Sequence, residues 1–172
     1  MAGDKIACPT VNMDVMLVRM RPRPPLDQFV ECLWRMDAGP SPHARERALP
    51  TGTVELVFDL RAGEPVICGP HSSYFELDTS VAISVIGVHF KPGGAAAFLG
   101  TPAGEFADRL VSLADVWGSR ANGLRDRLVD AIHRSLELPA REMIDFLHRD
   151  LMEWTDGRNA PDDVTFFIVK AL

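Results

Sequence analysis

The side chains able to do chemistry in this sequence are few and scattered. Glu55 lies in the segment Thr53–Leu60, where the residues alternate. Val54, Leu56, Phe58 and Leu60 would share one face of a strand, and Thr53, Glu55, Val57 and Asp59 the other. A carboxylate set opposite the apolar residues either recognises a ligand or meets solvent. His89 sits in the run Val81–Phe90, where a strand histidine can hydrogen-bond, ligate or switch charge. If a small molecule binds, its pocket is expected between the strand faces carrying Glu55 and His89, with Phe58 and Trp34 as apolar walls. His71, His89 and Glu76 have the residue types of an imidazole–carboxylate metal site, but the chain lacks the His-x-His pair such a site wants. Lys91, beside Pro92-Gly93-Gly94, would offer N–H groups to an anion at a strand-to-helix turn, unless the glycines only allow the chain to turn. Asp162 and Asp163 are two adjacent carboxylates. On a regular strand their side chains point to opposite faces, whereas a hard cation takes about six or more oxygen ligands. No Ser-His-Asp order, nucleophile elbow or phosphate-binding glycine loop is present.

These residues need elements to position them. Residues before Arg21-Pro-Arg-Pro-Pro25 have no firm assignment beyond a strand, and the prolines force an extended boundary. Leu26, Phe29, Val30, Leu33 and Trp34 recur at helical spacing and predict a short amphipathic helix ending before Gly39-Pro-Ser-Pro42. Short strands are expected around Val66–Cys68 and near Tyr74–Leu77. Val81–Phe90, apolar on both faces, predicts an interior strand or barrel wall. After Pro92-Gly93-Gly94 the pattern turns helical. Ala95–Leu99 forms a short piece, and Ser119 would cap a longer helix to Leu136. Leu124, Leu128, Ile132 and Leu136 would form the apolar stripe of that helix, leaving Arg125, Asp126 and Arg134 on the surface. Pro139 opens a further helix with Met143, Leu147, Leu151 and Trp154 facing inward, and Val164–Val169 reads as a buried strand. The expected fold class is α+β: a small antiparallel sheet or partial barrel, then packed helices and a final strand.

Composition narrows the function classes. With 172 residues, 47% hydrophobic and 24% charged, the chain suits one globular domain or a domain with an appendage. Its 18 Lys and Arg against 24 Asp and Glu give a net charge of −6, which argues against a general binder of phosphate backbones. Cys8, Cys32 and Cys68 are far apart and form no C-x-x-C pair, so reduced thiols are expected rather than a disulfide framework. The N-terminal stretch lacks an uninterrupted apolar region, and Thr79–Val88 is about half the ~20 residues a bilayer span needs. A cytoplasmic location without membrane contact is therefore expected.

Several segments together resemble the domain that precedes the DNA-binding region in a group of AraC-type transcriptional regulators. They are Pro25-Leu26 through Phe29-Val30-Glu31 to Leu33-Trp34; Leu49-Pro50-Thr51-Gly52 with Val54-Glu55-Leu56-Val57-Phe58; Gly69-Pro70; and Gly87-Val88-His89-Phe90-Lys91-Pro92-Gly93-Gly94-Ala95. Leu99-Gly100-Thr101-Pro102 and Leu113-Ala114-Asp115-Val116-Trp117-Gly118 continue the likeness, which spans about residues 20–138 and leaves 1–19 outside it. The chain departs from that family's pattern at Thr51, where Asp is usual, and at His89, where Arg is usual. The resemblance implies a cupin-like sensor or dimerisation module with a small-molecule effector, a protein partner or a second copy as its partner. It would act in transcription regulation without its own helix-turn-helix reader, because too few residues follow Trp117 to build one. Nor do the two C-terminal helices suit a DNA groove, since Glu142, Asp145, Asp150 and Glu153 outweigh Arg141 and Arg149.

Residues 139–172 resemble instead the end of SpoIIE-like metal-dependent phosphatases, through Arg141 to Trp154, Asp162-Asp163-Val164-Thr165 and Phe166 to Val169. That resemblance implies a manganese or magnesium ligand at Asp162. The family's other acidic ligands are absent, so no cofactor is expected unless the phosphatase alternative holds. The function expected is thus a sensory or regulatory module, with the question of enzymatic activity left open. The alternatives are a phosphatase fragment, or a structural partner-binding domain from a truncated or recombined gene.

Overall fold

The computed structural model describes residues 15–41 and 45–135, together with residues 138, 139, 142, 145, 146, 149 and 150. Within them the strands are β1 Val15–Met20, β2 Val30–Ala38, β3 Arg45–Ala48, β4 Glu55–Asp59, β5 Val66–Cys68, β6 Phe75–Asp78, β7 Ile83–Phe90 and β8 Leu110–Ser112. The helices are α1 Ala96–Leu99, α2 Leu113–Trp117 and α3 Leu124–Ser135, with single 3-10 turns at Leu26–Gln28, Ala103–Phe106 and Gly118–Ala121. Six strands form one antiparallel sheet in the order β1-β2-β7-β4-β5-β8, and β3 pairs with β6 in a second. This is the α+β class, a largely antiparallel sheet followed by helices. No helix among the described residues is long and apolar enough to cross a membrane.

Strand β7 lies at the centre because it is apolar on both sides. It pairs with β2 along one edge and with β4 along the other. Alternation in β4 then decides what each face becomes. Val54, Leu56 and Phe58 are buried at 3%, 7% and 8% exposure, and with Ile67 and Phe90 they join Leu99, Phe106, Leu113 and Ala121 in one core. Burial of each of the larger of these side chains (Val, Leu, Ile, Phe) contributes roughly 1.5–3 kcal/mol. The helices are fixed to this sheet by polar ties at its margin. Arg125 of α3 donates from Nε to Asp59 O at 3.0 Å and from Nη2 to Leu60 O at 2.8 Å, capping the end of β4.

Four expectations are corrected. Leu26–Trp34 is not a helix: a 3-10 turn gives way to β2, and the apolar spacing has another cause. A register shift between Val30 and Cys32 inserts one residue, so Val30 and Leu33, three apart, both face the core as they would on a helix. Ser119 does not cap the long helix. It lies in a 3-10 turn, Gly123 takes a left-handed φ of 69°, and α3 starts at Leu124; the hydroxyl cap belongs to Ser112, which accepts from Ala114 N at the start of α2. Arg125, expected on the surface, is part-buried, its guanidinium committed to the carbonyls at the end of β4. Lys91 is not aimed at an anion, because its ammonium donates to Asp27 O and its amide to Phe29 O. A Cβ on Gly94 would meet Phe29 O at 2.1 Å, so that glycine serves a close backbone approach.

After α3, residues 142, 145, 146, 149 and 150 are helical, in keeping with the helix expected after Pro139. Its inward residues Met143, Leu147, Leu151 and Trp154, the strand Val164–Val169, and Asp162 and Asp163 lie outside the described residues, as does Cys8.

Candidate functional site

Side chains directly opposite each other in an antiparallel sheet share a face. The registers Cys32↔His89, His89↔Glu55 and Glu55↔Cys68 therefore set four functional side chains in one row across β2, β7, β4 and β5. This row lies on the face opposite Leu56 and Phe58. The next row holds Trp34, Gly87, Val57 and Val66. A Cβ on Gly87 would meet the indole of Trp34 at 2.1 Å, so the glycine is what lets the ring lie across the sheet beside the row.

His89 is the centre of a hydrogen-bonded chain. Its Nδ1 is 2.8 Å from Glu55 Oε1, and its Nε2 is 3.0 Å from Thr53 Oγ1, which lies 3.1 Å from Thr51 Oγ1. In the tautomer whose Nδ1–H donates to the Glu55 carboxylate, Nε2 is left to accept from the Thr53 hydroxyl, which otherwise donates to Thr51 Oγ1. The side chains of His89 and Glu55 are each 21% exposed, reachable yet sheltered enough for the contacts to matter. The flanking thiols are subdued. Burial, reinforced by the Glu55 charge, pushes Cys68 up to about 11. Burial also raises Cys32, with Arg19 opposing it.

Of the residues singled out from sequence, the structure brings Glu55, His89 and Trp34 onto one face. Phe58 is corrected: three positions from Glu55 on a regular strand, it faces the other way, opposite Ile86, and belongs to the core. Glu76 is distant in role, its carboxylate accepting from Arg45 at 3.0 Å in the second sheet. His71 packs on Phe75, its Nδ1 is 3.9 Å from Asp108, and its buried Nε2 has no hydrogen-bond partner among the described residues. Asp108, at a left-handed φ of 56°, instead accepts from the amide and hydroxyl of Ser72. Among the described residues no three His, Cys, Asp or Glu side chains are gathered to hold a metal. Two shallow clefts lie elsewhere. One of about 400 Å³ is lined by Arg45, Glu76 and Asp78, and one of about 470 Å³ by Arg127, Asp130 and Asp150.

Sequence reasoning missed Thr53 as a functional group, although its two-residue spacing from Glu55 already set both on one face. Cys32 and Cys68 could not be found that way, because only the strand register brings them into the row. The family described as Domain of unknown function (DUF6597) matches residues 18–112. No curated protein and no solved structure matches the chain. The match ends at the last residue of β8 and takes in every strand of the site, more than half of the sequence. The chain belongs to the DUF6597 family.

Proposed function

We propose that the protein is a sensory or regulatory module that binds a small molecule on the open face of its six-stranded sheet. In this reading it works in the cytoplasm in the manner of the N-terminal domains of AraC-type regulators. The observation that carries the reading is the Thr53–His89–Glu55 chain beside Trp34, a few convergent polar groups next to an aromatic surface that the core does not use. The two positions at which the sequence departs from the AraC-type pattern, Thr51 and His89, are linked through Thr53, so one site carries both changes. Glu55, His89 and Thr53 supply the directional contacts and Trp34 the apolar wall.

The test is a ligand-observed NMR screen of small amphipathic fragments against the full chain. Hits should be lost in Trp34→Ala and His89→Ala and retained in a variant of the second sheet such as Glu76→Gln. Hits indifferent to both substitutions would refute the assignment of the site. Sequence-selective retardation of a DNA duplex by these 172 residues at physiological salt would refute the reading of the module as a sensor that does not itself bind DNA.

A further inference from the structure

The three side chains on the open face stand in a particular order: carboxylate, imidazole, hydroxyl. A hydroxyl becomes a useful nucleophile when a base lies within hydrogen-bond reach and a third group orients that base. Thr53 Oγ1 is 3.0 Å from His89 Nε2, and His89 Nδ1 is 2.8 Å from Glu55 Oε1, which satisfies both distances; the roles require the tautomer with its proton on Nδ1 and the Thr53 hydroxyl turned from Thr51 toward Nε2. We infer that Thr53 is an acyl-accepting nucleophile for small activated esters, with His89 as its general base and Glu55 as the positioning residue.

The local fold supports this use. Gly52, at a left-handed φ of 70°, turns the chain sharply into β4 and leaves Thr53 half-buried just ahead of the strand. The amides of Gly52 and Thr53 make no backbone hydrogen bond among the described residues. The thiols in the same row are weak competitors, since burial keeps Cys68 and Cys32 protonated near neutral pH.

In the step, Thr53 Oγ bonds to the ester carbonyl carbon while its proton passes to His89 Nε2. The bond from that carbon to the leaving oxygen breaks, and the leaving group departs as an alcohol or phenol carrying the proton. The product is an ester of Thr53 with His89 neutral again. Water, giving a proton to the same Nε2, then adds to the acyl carbon; the carboxylic acid leaves and the Thr53 hydroxyl is restored. No oxidant or reductant is involved.

This inference uses the site of the proposed sensor but not its regulatory role, and the experiment separates the two. The full chain is incubated with p-nitrophenyl acetate, with p-nitrophenol release followed by absorbance and the site of acetylation by peptide mass mapping. One acetyl group on Thr53 is expected. Positioned general-base catalysis contributes ~10²–10⁴-fold, so Thr53→Val, which keeps the shape, and His89→Gln should fall by that order while Thr53→Ser retains activity. Glu55→Gln should lower kcat with KM and melting temperature unchanged, which a merely structural carboxylate would not do. Release unaltered in Thr53→Val, acetyl groups only on lysine or cysteine, or no release above buffer would each overturn the inference. Fragment binding that persists in that last case would leave the sensor reading intact.

Discussion

On one face of the six-stranded sheet Leu56, Phe58, Ile67 and Phe90 pack with Leu99, Phe106 and Leu113. On the other, one residue out of step along the same strands, Glu55, Cys68 and His89 stay partly open to water. The backbone is shared and the surroundings differ. A carboxylate–imidazole pair on the packed face would need every remaining polar atom satisfied to offset its desolvation. On the open face the same pair keeps access to solvent and can exchange partners. Stability and recognition are thus divided between faces by a period of two, and substitutions that respect or violate that period should separate them.

The largest expected effect comes from the packed face. Phe58→Ala should lose about 3–5 kcal/mol, the usual cost of a truncated core aromatic, while Glu55→Ala loses much less. Equal losses in a denaturant series would show that the faces are not distinct. Cys68 should give the next effect, seen only in alkali. Its thiol is held protonated up to about 11 against an ordinary 9.0, chiefly by burial. Above 9 the unfolded chain releases this proton while the folded protein keeps it. The contribution is therefore complete below pH 9 and lost as pH rises from 9 to 11, on the order of 2 kcal/mol. Cys68→Ala should flatten the stability curve across that window, and an unchanged slope would place the thiol in solvent.

Gly87→Ala tests the packing of the open face. The new Cβ would fall 2.1 Å from Trp34, and an indole can swing away where a backbone cannot. A loss of about 1–3 kcal/mol is expected, the range for overpacking, together with a shift in tryptophan emission. Loss of stability with unaltered emission would mean that Trp34 does not lie over the glycine.

How far these faces were legible in the sequence follows from the same period. The clean alternation of Thr53 to Leu60 is enough to predict β4, and Val85, Ile86 and Val88, which put apolar side chains on both faces, mark β7 as interior. β2 was misread because its bulge moves Val30 and Leu33 onto one face at a spacing of three, which is also the helical spacing. β3 escaped notice because Arg45-Glu-Arg-Ala48 is short and charged, and its partner β6 is remote in sequence. Glu55 and His89 were each visible, but their contact depends on β4 lying beside β7, which no local pattern specifies. Phe58 cannot share a pocket with them, because its own alternation with Glu55 sets it on the packed face.

The smallest expected effect lies where the packed face runs out, at the far end of β2. Arg35 and Asp37 lie on the same side as Phe58, but the core does not cover them, and Asp37 answers to Arg35 and Ser84 instead. Hydrogen bonds from Arg35 Nε at 2.7 Å and from Ser84 Oγ at 2.7 Å hold its carboxyl below the ordinary range, the arginine contributing most and burial opposing it. A lowered carboxyl stabilises the fold above its unfolded value, and that contribution disappears as pH falls through the folded value, so acid below about pH 4 should remove it. Arg35 is 46% exposed, and exposed pairs are worth about 0–1 kcal/mol. Asp37→Asn should therefore cost less than about 1 kcal/mol at neutral pH, and the difference from the parent should vanish in acid. A loss comparable to that of Phe58→Ala would mean that the packed face extends to the edge of the sheet and that the boundary between the two environments is drawn in the wrong place.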